Sequence, residues 1–102
     1  MTVNVPASGT GLVSVTGAMI GDSSATSCEM SYTVSGASTR PASANTAVTL
    51  AGKALQRASA TSLLTGLTPG STTFTAQYRA QFPPGNLECI FSDRTIAVLP
   101  IP

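Results

Sequence analysis

The chain has 102 residues, with five basic and four acidic side chains, a net charge of +1 and a pI near 7.8. So weak a field excludes charge-driven binding of nucleic acid or of an anionic membrane surface. Charged residues are only 9% of the chain, while Ser, Thr and Ala supply 42 of its residues, a composition suited to permanent protein contacts because few charges need desolvating.

The length corresponds to one domain. Such a domain buries a real core with little margin, and association with further copies would help it. The first residues, Met1-Thr2-Val3-Asn4-Val5-Pro6, lack the basic and apolar regions of a secretory signal. No apolar run approaches the roughly 20 residues of a membrane-spanning helix. Both features lead to the expectation of synthesis in a cytosol.

Residues 1–11 are polar around Pro6 and Gly9 and read as an N-terminal arm or edge segment, with Val3, Val5 and Pro6 as its candidate contacts to a neighbour. Residues 12–102 read as a β-sandwich domain. Leu12 to Thr16 is a short strand. Gly17 to Thr26 reads as a loop with a turn at Gly21-Asp22-Ser23-Ser24, and its Met19 and Ile20 allow a further short strand. Ser27 to Val34 alternates strictly: Cys28, Met30, Tyr32 and Val34 face one way, Ser27, Glu29, Ser31 and Thr33 the other.

Ser38 to Asn45 is irregular, and its Pro41 excludes a central strand. Thr46 to Leu50 is a strand with Val48 and Leu50 inward, followed by a turn at Ala51-Gly52-Lys53. Ala54 to Ala58 reads as a brief helical turn, and Ala60 to Leu64 returns to strand. Pro69 and Gly70 suit a type II turn. Thr73 to Ala80 alternates again, with Phe74, Ala76, Tyr78 and Ala80 on the buried phase. A loop at Gln81 to Asn86 then joins it to the last strand as a hairpin. In that strand Leu87, Cys89 and Phe91 share one phase while Ile96 and Val98 take the opposite parity, so a β-bulge is expected at Ser92-Asp93-Arg94. Seven to eight short strands with regular turn signals predict an all-β, single antiparallel sandwich, jelly-roll or immunoglobulin-like.

The chain has no His, which removes the commonest general base, the Ser-His and Cys-His nucleophile systems and the usual zinc and copper sites. Of the four acids, Glu29 and Glu88 both face away from the apolar phase. A cross-strand pair of them would have glycosidase-like geometry, but two exposed strand carboxylates are the ordinary reading, because no Trp accompanies them. Gly9-Thr10-Gly11 lacks the Lys-Ser/Thr ending of a phosphate loop and reads as a turn. Asp93 and Arg94 at the bulge are candidates either for a partner contact or for a local ion pair. Cys28 and Cys89 both sit on apolar phases, as a disulfide or as two buried thiols; without a signal the thiols are expected. The apolar end Pro100-Ile101-Pro102 is expected to pack on its own chain or on a neighbour. No catalytic, metal or cofactor-binding set emerges.

Leu64-Thr65-Gly66-Leu67-Thr68-Pro69-Gly70-Ser71 resembles the turn before strand F of fibronectin type III domains, although Phe74 arrives one residue later than the aromatic of that pattern and has no hydroxyl. The closing part of the chain looks more like small virion proteins of tailed bacteriophages, particularly those of actinobacteria. Val34-Ser35-Gly36-Ala37, Gly66 to Ser71, Phe74 to Arg79 and Phe91 to Pro100 carry this resemblance. It implies a β-sandwich that decorates a capsid or serves as a head or tail fibre module, often as a homotrimer.

The function expected from this reading is a structural, non-enzymatic capsid decoration (cement) protein on the virion surface, assembled in the bacterial host cytoplasm. Its partners would be its own copies and the major capsid protein, with no cofactor, nucleic acid, membrane or small-molecule substrate. A tail or fibre receptor-binding module and a fibronectin-like adhesion domain are the alternatives. Phe82 in the expected hairpin loop, with Val3, Val5, Pro6, Asp93, Arg94, Pro100 and Ile101, completes the candidate assembly residues.

Overall fold

Period-two alternation runs through most of the chain, and the computed structural model, which describes residues 1–21, 26–81 and 89–102, is built almost wholly from strands. Among the described residues these are β1 (Thr2–Val5), β2 (Thr10–Gly21), β3 (Ser27–Gly36), β4 (Val48–Ala51), β5 (Gln56–Leu64), β6 (Gly70–Gln81) and β7 (Cys89–Ile101), with one 3-10 turn at Ala44–Thr46. Two antiparallel sheets pack together, one in the order β1-β6-β3-β4 and the other β5-β2-β7. The molecule measures 45 × 22 × 17 Å. At ~3.3 Å per residue a 13-residue strand spans ~43 Å, so β7 runs its full length.

The core follows the alternation. Val13, Val15 and Met19 of β2 meet Cys28, Met30, Tyr32 and Val34 of β3, with Phe74 of β6 and Val48, Leu64, Leu67 and Val5 around them. Phe74 is the largest fully buried side chain and lies 6.0 Å from the Tyr32 ring, centroid to centroid. In a chain with 5% aromatics and no Trp, this pair supplies much of the core's bulk, at ~1.5–3 kcal/mol per fully buried large side chain.

Several expectations change. β2 is continuous from Thr10 to Gly21 and takes in Met19 and Ile20. The turn centred on Asp22-Ser23-Ser24 lies outside the described residues. Ala54 to Ala58 makes no helical turn, and β5 already begins at Gln56. Of the two readings of residues 1–11, arm or edge segment, the edge segment holds for Thr2–Val5: β1 is an edge strand on β6, with Thr2 opposite Thr73 and Val5 opposite Gly70. The backbone of Met1 bonds Phe74 twice, at 2.8 Å each way. Val5 is buried and Val3 packs on the core, because an edge strand with every second residue apolar fills its own sandwich first.

The expected closing hairpin does not form. β6 is flanked by β1 and β3, whereas β7 crosses to the other sheet and pairs with β2. β1 occupies the edge of β6 at Gly70 to Thr73, and packed sheets stand only ~10 Å apart. The loop expected as the hairpin turn, with Phe82 and Pro83-Pro84-Gly85, lies outside the described residues.

The bulge is present. Thr95 pairs with Thr16 and Ser92 with Ala18, so Asp93 and Arg94 together oppose Gly17. Asp93 takes a φ of 49°, which Asp tolerates better than most residues. Gly9 has a φ of 65°, and a Cβ there would sit 2.4 Å from the Leu67 carbonyl oxygen. Only glycine fits between β1 and β2.

Cys28 and Cys89 are bonded, with Cα atoms 5.9 Å apart across a sequence separation of 61, so the expectation of two thiols gives way to the disulfide. It ties β3 of one sheet to the start of β7 in the other. A cross-link closing a loop of that length contributes about 4 kcal/mol in the chain-entropy account. Cys28→Ala/Cys89→Ala is therefore expected to lose about 4 kcal/mol of unfolding free energy, read from urea denaturation, and reductant is expected to produce the same shift in the wild-type chain alone.

Candidate functional site

The outer face of the three-stranded sheet is the surface that the sequence leaves least occupied. Leu12 of β2 stands directly between Leu63 of β5 and Leu99 of β7. Leu63 is 58% and Leu99 62% exposed. Three leucines thus form one row across all three strands. The next rows are small and hydroxylated: Ser14 with Thr61 and Ala97, then Thr16 with Ser59 and Thr95. The Thr61 hydroxyl donates to Ser14 at 3.2 Å, which keeps this part of the face flat.

Beyond these rows Arg57 of β5 reaches Asp93 of β7 at 2.7 Å, over the buried Ala18 of the central strand. The bulge makes this possible, because it turns Asp93 out of the ladder. At the far end Ile20 pairs with Ile90, which is 66% exposed. The two charges cancel, so the described part of the face between the leucine row and Ile20 carries no net charge. A neutral face with an apolar row is chemically suited to contact with another apolar surface.

The other sheet's outer face is covered in part by the segment 38–46. Glu29, expected on an exposed face, borders a hollow shared with Ala42 to Ala44; its side chain is only 9% exposed, and Arg79 donates to its carboxylate at 3.1 Å from a side chain 55% exposed. Ser31 bonds both the Ser43 carbonyl, at 3.1 Å, and the Thr46 hydroxyl. These residues border a shallow hollow of about 230 Å³ with Gln77 and Ala42. The one carboxylate among its described lining residues is paired with Arg79. Glu88, the other half of the glycosidase-like pair, lies outside the described residues. Among the described residues no three His, Cys, Asp or Glu side chains gather as a metal-binding group.

The expected assembly residues are dispersed. Val3 and Val5 serve the chain's own core, and Pro6 leads into the β1–β2 turn, where its carbonyl accepts from Gly9 at 2.9 Å. Asp93 is the acid of the cross-sheet ion pair. Arg94 lies over the Tyr78 ring, 5.4 Å from its centroid, and Tyr78 in turn packs on Phe91 at 4.9 Å. Tyr78 faces inward as expected, beside Met30 and onto Phe91, yet stays 40% exposed. Pro100 pairs with Gly11, and the Ile101 carbonyl accepts from the Ser8 hydroxyl. The C-terminal end therefore packs on its own chain. Phe82 lies outside the described residues.

The leucine row was missed, although the sequence holds a signal for it. Leu12-Val13, Leu63-Leu64 and Val98-Leu99 each break the alternation with two apolar neighbours, so one of each must point outward. Only the register brings the three outward leucines together.

The two ion pairs differ in burial and so in energy. Arg79→Met strands a covered carboxylate and is expected to cost about 1–3 kcal/mol. Asp93→Asn, at an exposed pair and with a residue that keeps the positive φ, is expected to cost under ~1 kcal/mol. Urea denaturation of the two variants side by side measures both.

Comparison with protein-family models, with curated proteins and with solved structures finds no match. The functional reading therefore rests on the geometry of this face and on the motifs of the chain itself.

Proposed function

We propose that the chain is a structural subunit that works by protein–protein contact, and more specifically a capsid decoration protein of a tailed bacteriophage. The observation that carries the contact reading is the row Leu63-Leu12-Leu99 on a neutral, hydroxyl-rich sheet face. Leucines held on rigid strands lose little side-chain freedom on docking, and the surrounding hydroxyls are cheap to desolvate compared with charges. The shell as partner is drawn from the order of the motifs between Val34 and Pro100. The Cys28–Cys89 bond suits a protein that works in oxidising surroundings, as a virion surface is after release. In this role the subunit adds contacts that the shell alone lacks and stabilises it by mass action.

We read the sandwich as immunoglobulin-like rather than jelly-roll. β2 lies beside β5 and β3 beside β6, the pairings of strands B with E and C with F in that fold. The terminal strands are exchanged: β7 takes the place beside B that the first strand normally holds, and β1 takes the place beside F that the last one holds. A rigid scaffold of this kind presents one flat face without demanding a long loop.

The test is co-sedimentation with purified phage shells. Leu63→Ser/Leu99→Ser is expected to leave urea stability within about 0.5 kcal/mol of the parent, as exposed substitutions do, and to abolish shell binding. A parent chain that binds no shell, or a double variant that binds as well as the parent, removes this reading.

A further inference from the structure

A β-sandwich has four strand edges, and each exposes unpaired backbone groups that invite another strand unless something blunts it. Two of the edges here are short: β1 and β4 have four residues each. β7 is long but guarded. Asp93 and Arg94 bulge out of its ladder, and Pro100 near its end has no N–H to offer. β5 has none of these devices. It runs nine residues, Gln56-Arg57-Ala58-Ser59-Ala60-Thr61-Ser62-Leu63-Leu64, in unbroken register with β2, without Pro, Gly or bulge and with Arg57 as its one charge.

The direction of its free groups follows from its neighbour. Gly9 accepts from Leu67, and Gly21 donates to Gly52, both on the β5 side of β2. Odd-numbered residues of β2 therefore aim their N–H and C=O at β5. Val13 pairs with Ser62, Val15 with Ala60 and Gly17 with Ala58, so the even-numbered residues of β5 spend their backbone groups on β2. Arg57, Ser59, Thr61 and Leu63 aim theirs at the open edge. Arg40 takes the Thr65 carbonyl at 2.6 Å past one end, and Gln56 bonds the Ala51 carbonyl at 2.9 Å at the other. Between these anchors no described group meets the outward backbone. Ala58, Ala60 and Ser62 point inward yet stay half-exposed, although β4 and the 3-10 turn of the opposite sheet approach β5 on that side.

We propose that β5 pairs antiparallel with β5 of a second copy, about a two-fold axis at Ala60, to make one continuous six-stranded sheet. In this register Ser59 faces Thr61 of the second copy and Arg57 faces its Leu63. The outward groups satisfy each other, because both strands aim the same residues at the seam. The axis falls on a non-hydrogen-bonded pair, where Cα atoms approach to ~4.5 Å, and Ala60 is small enough to allow it. The two Arg57 side chains stand about 20 Å apart, beyond the ~10 Å screening length at 0.1 M salt. Each Arg57 keeps its ion pair with Asp93 of its own chain, so its charge is already balanced at the seam. A seam of seven residues is ~23 Å long, at the small end of specific interfaces, so the pair is reversible and depends on concentration. It is a dimer, not the three-fold assembly that the phage resemblance implies, and it stands whether or not the leucine row meets a shell.

Sedimentation velocity across a hundredfold range of concentration tests it. The parent is expected to pass from monomer to dimer. Thr61→Pro removes one outward N–H, leaves the β2 ladder whole and is expected to stay monomeric throughout. Ser59→Lys/Thr61→Lys sets lysine against lysine across the seam and is expected to abolish the dimer. Ser59→Lys/Thr61→Asp sets lysine against aspartate and is expected to restore it to at least the parent level. A parent that remains monomeric or forms trimers overturns the proposal. So does a dimer that survives Ser59→Lys/Thr61→Lys, or one that the lysine–aspartate variant fails to restore.

Discussion

The bond between Cys28 and Cys89 ties the last strand to the opposite sheet. It pins the first residue of β7 against β3 of the opposite sheet. From there β7 runs antiparallel to β2 for the whole length of the sandwich. β1 then closes the vacant edge of β6, and Met1 and Val5 bind it there through backbone bonds and core packing. Had β7 paired with β6, Leu99 would not stand beside Leu12, and no apolar row would cross the three-stranded sheet. The exchange of terminal strands and the candidate docking face are one geometric fact.

The scarcity of charge shapes both faces. Where the chain places an acid under cover, at Glu29, it supplies Arg79 from the neighbouring strand, because an unpaired covered carboxylate costs more than the pair gains. Where charge stays in water, at Arg57 and Asp93, the pair contributes little to stability. Its effect is on the face, which carries no net charge between the leucine row and the isoleucines. Hydroxyls of Ser14, Ser59, Thr61 and Thr95 wet that face without the desolvation cost of charges. The same low-charge stretch leaves the β5 edge without the lysines that edge strands commonly carry.

Much of the local structure was legible. Strict alternation from Ser27 to Val34 identified the four inward residues of β3, and the parity change between Phe91 and Ile96 located the bulge at Asp93-Arg94. Both succeed because side-chain direction in a strand has a period of two, whatever the strand packs against. Other readings failed for the complementary reason. Glu29 alternates as an exposed residue should, yet it is buried and paired with Arg79. Tyr78 points inward as its phase requires, yet 40% of it stays exposed. Val3 and Val5 looked like contacts for a neighbour, and the neighbour is β6 of the same chain.

By itself the sequence determined that this is an all-β chain, which residues share a face of each strand, where the ladder must bulge, and that no histidine chemistry is available. Those are properties of single residues and of short windows, where sterics and pleat act locally. Only the tertiary structure decided which strands are neighbours: β7 beside β2 and not β6, β1 inside the sandwich and not beyond it, Cys28 against Cys89, and Leu12 between Leu63 and Leu99. Strand pairing joins residues dozens of positions apart, and any alternating strand can in principle pair with any other. The choice among pairings is made by the whole core at once, through the burial that each arrangement achieves.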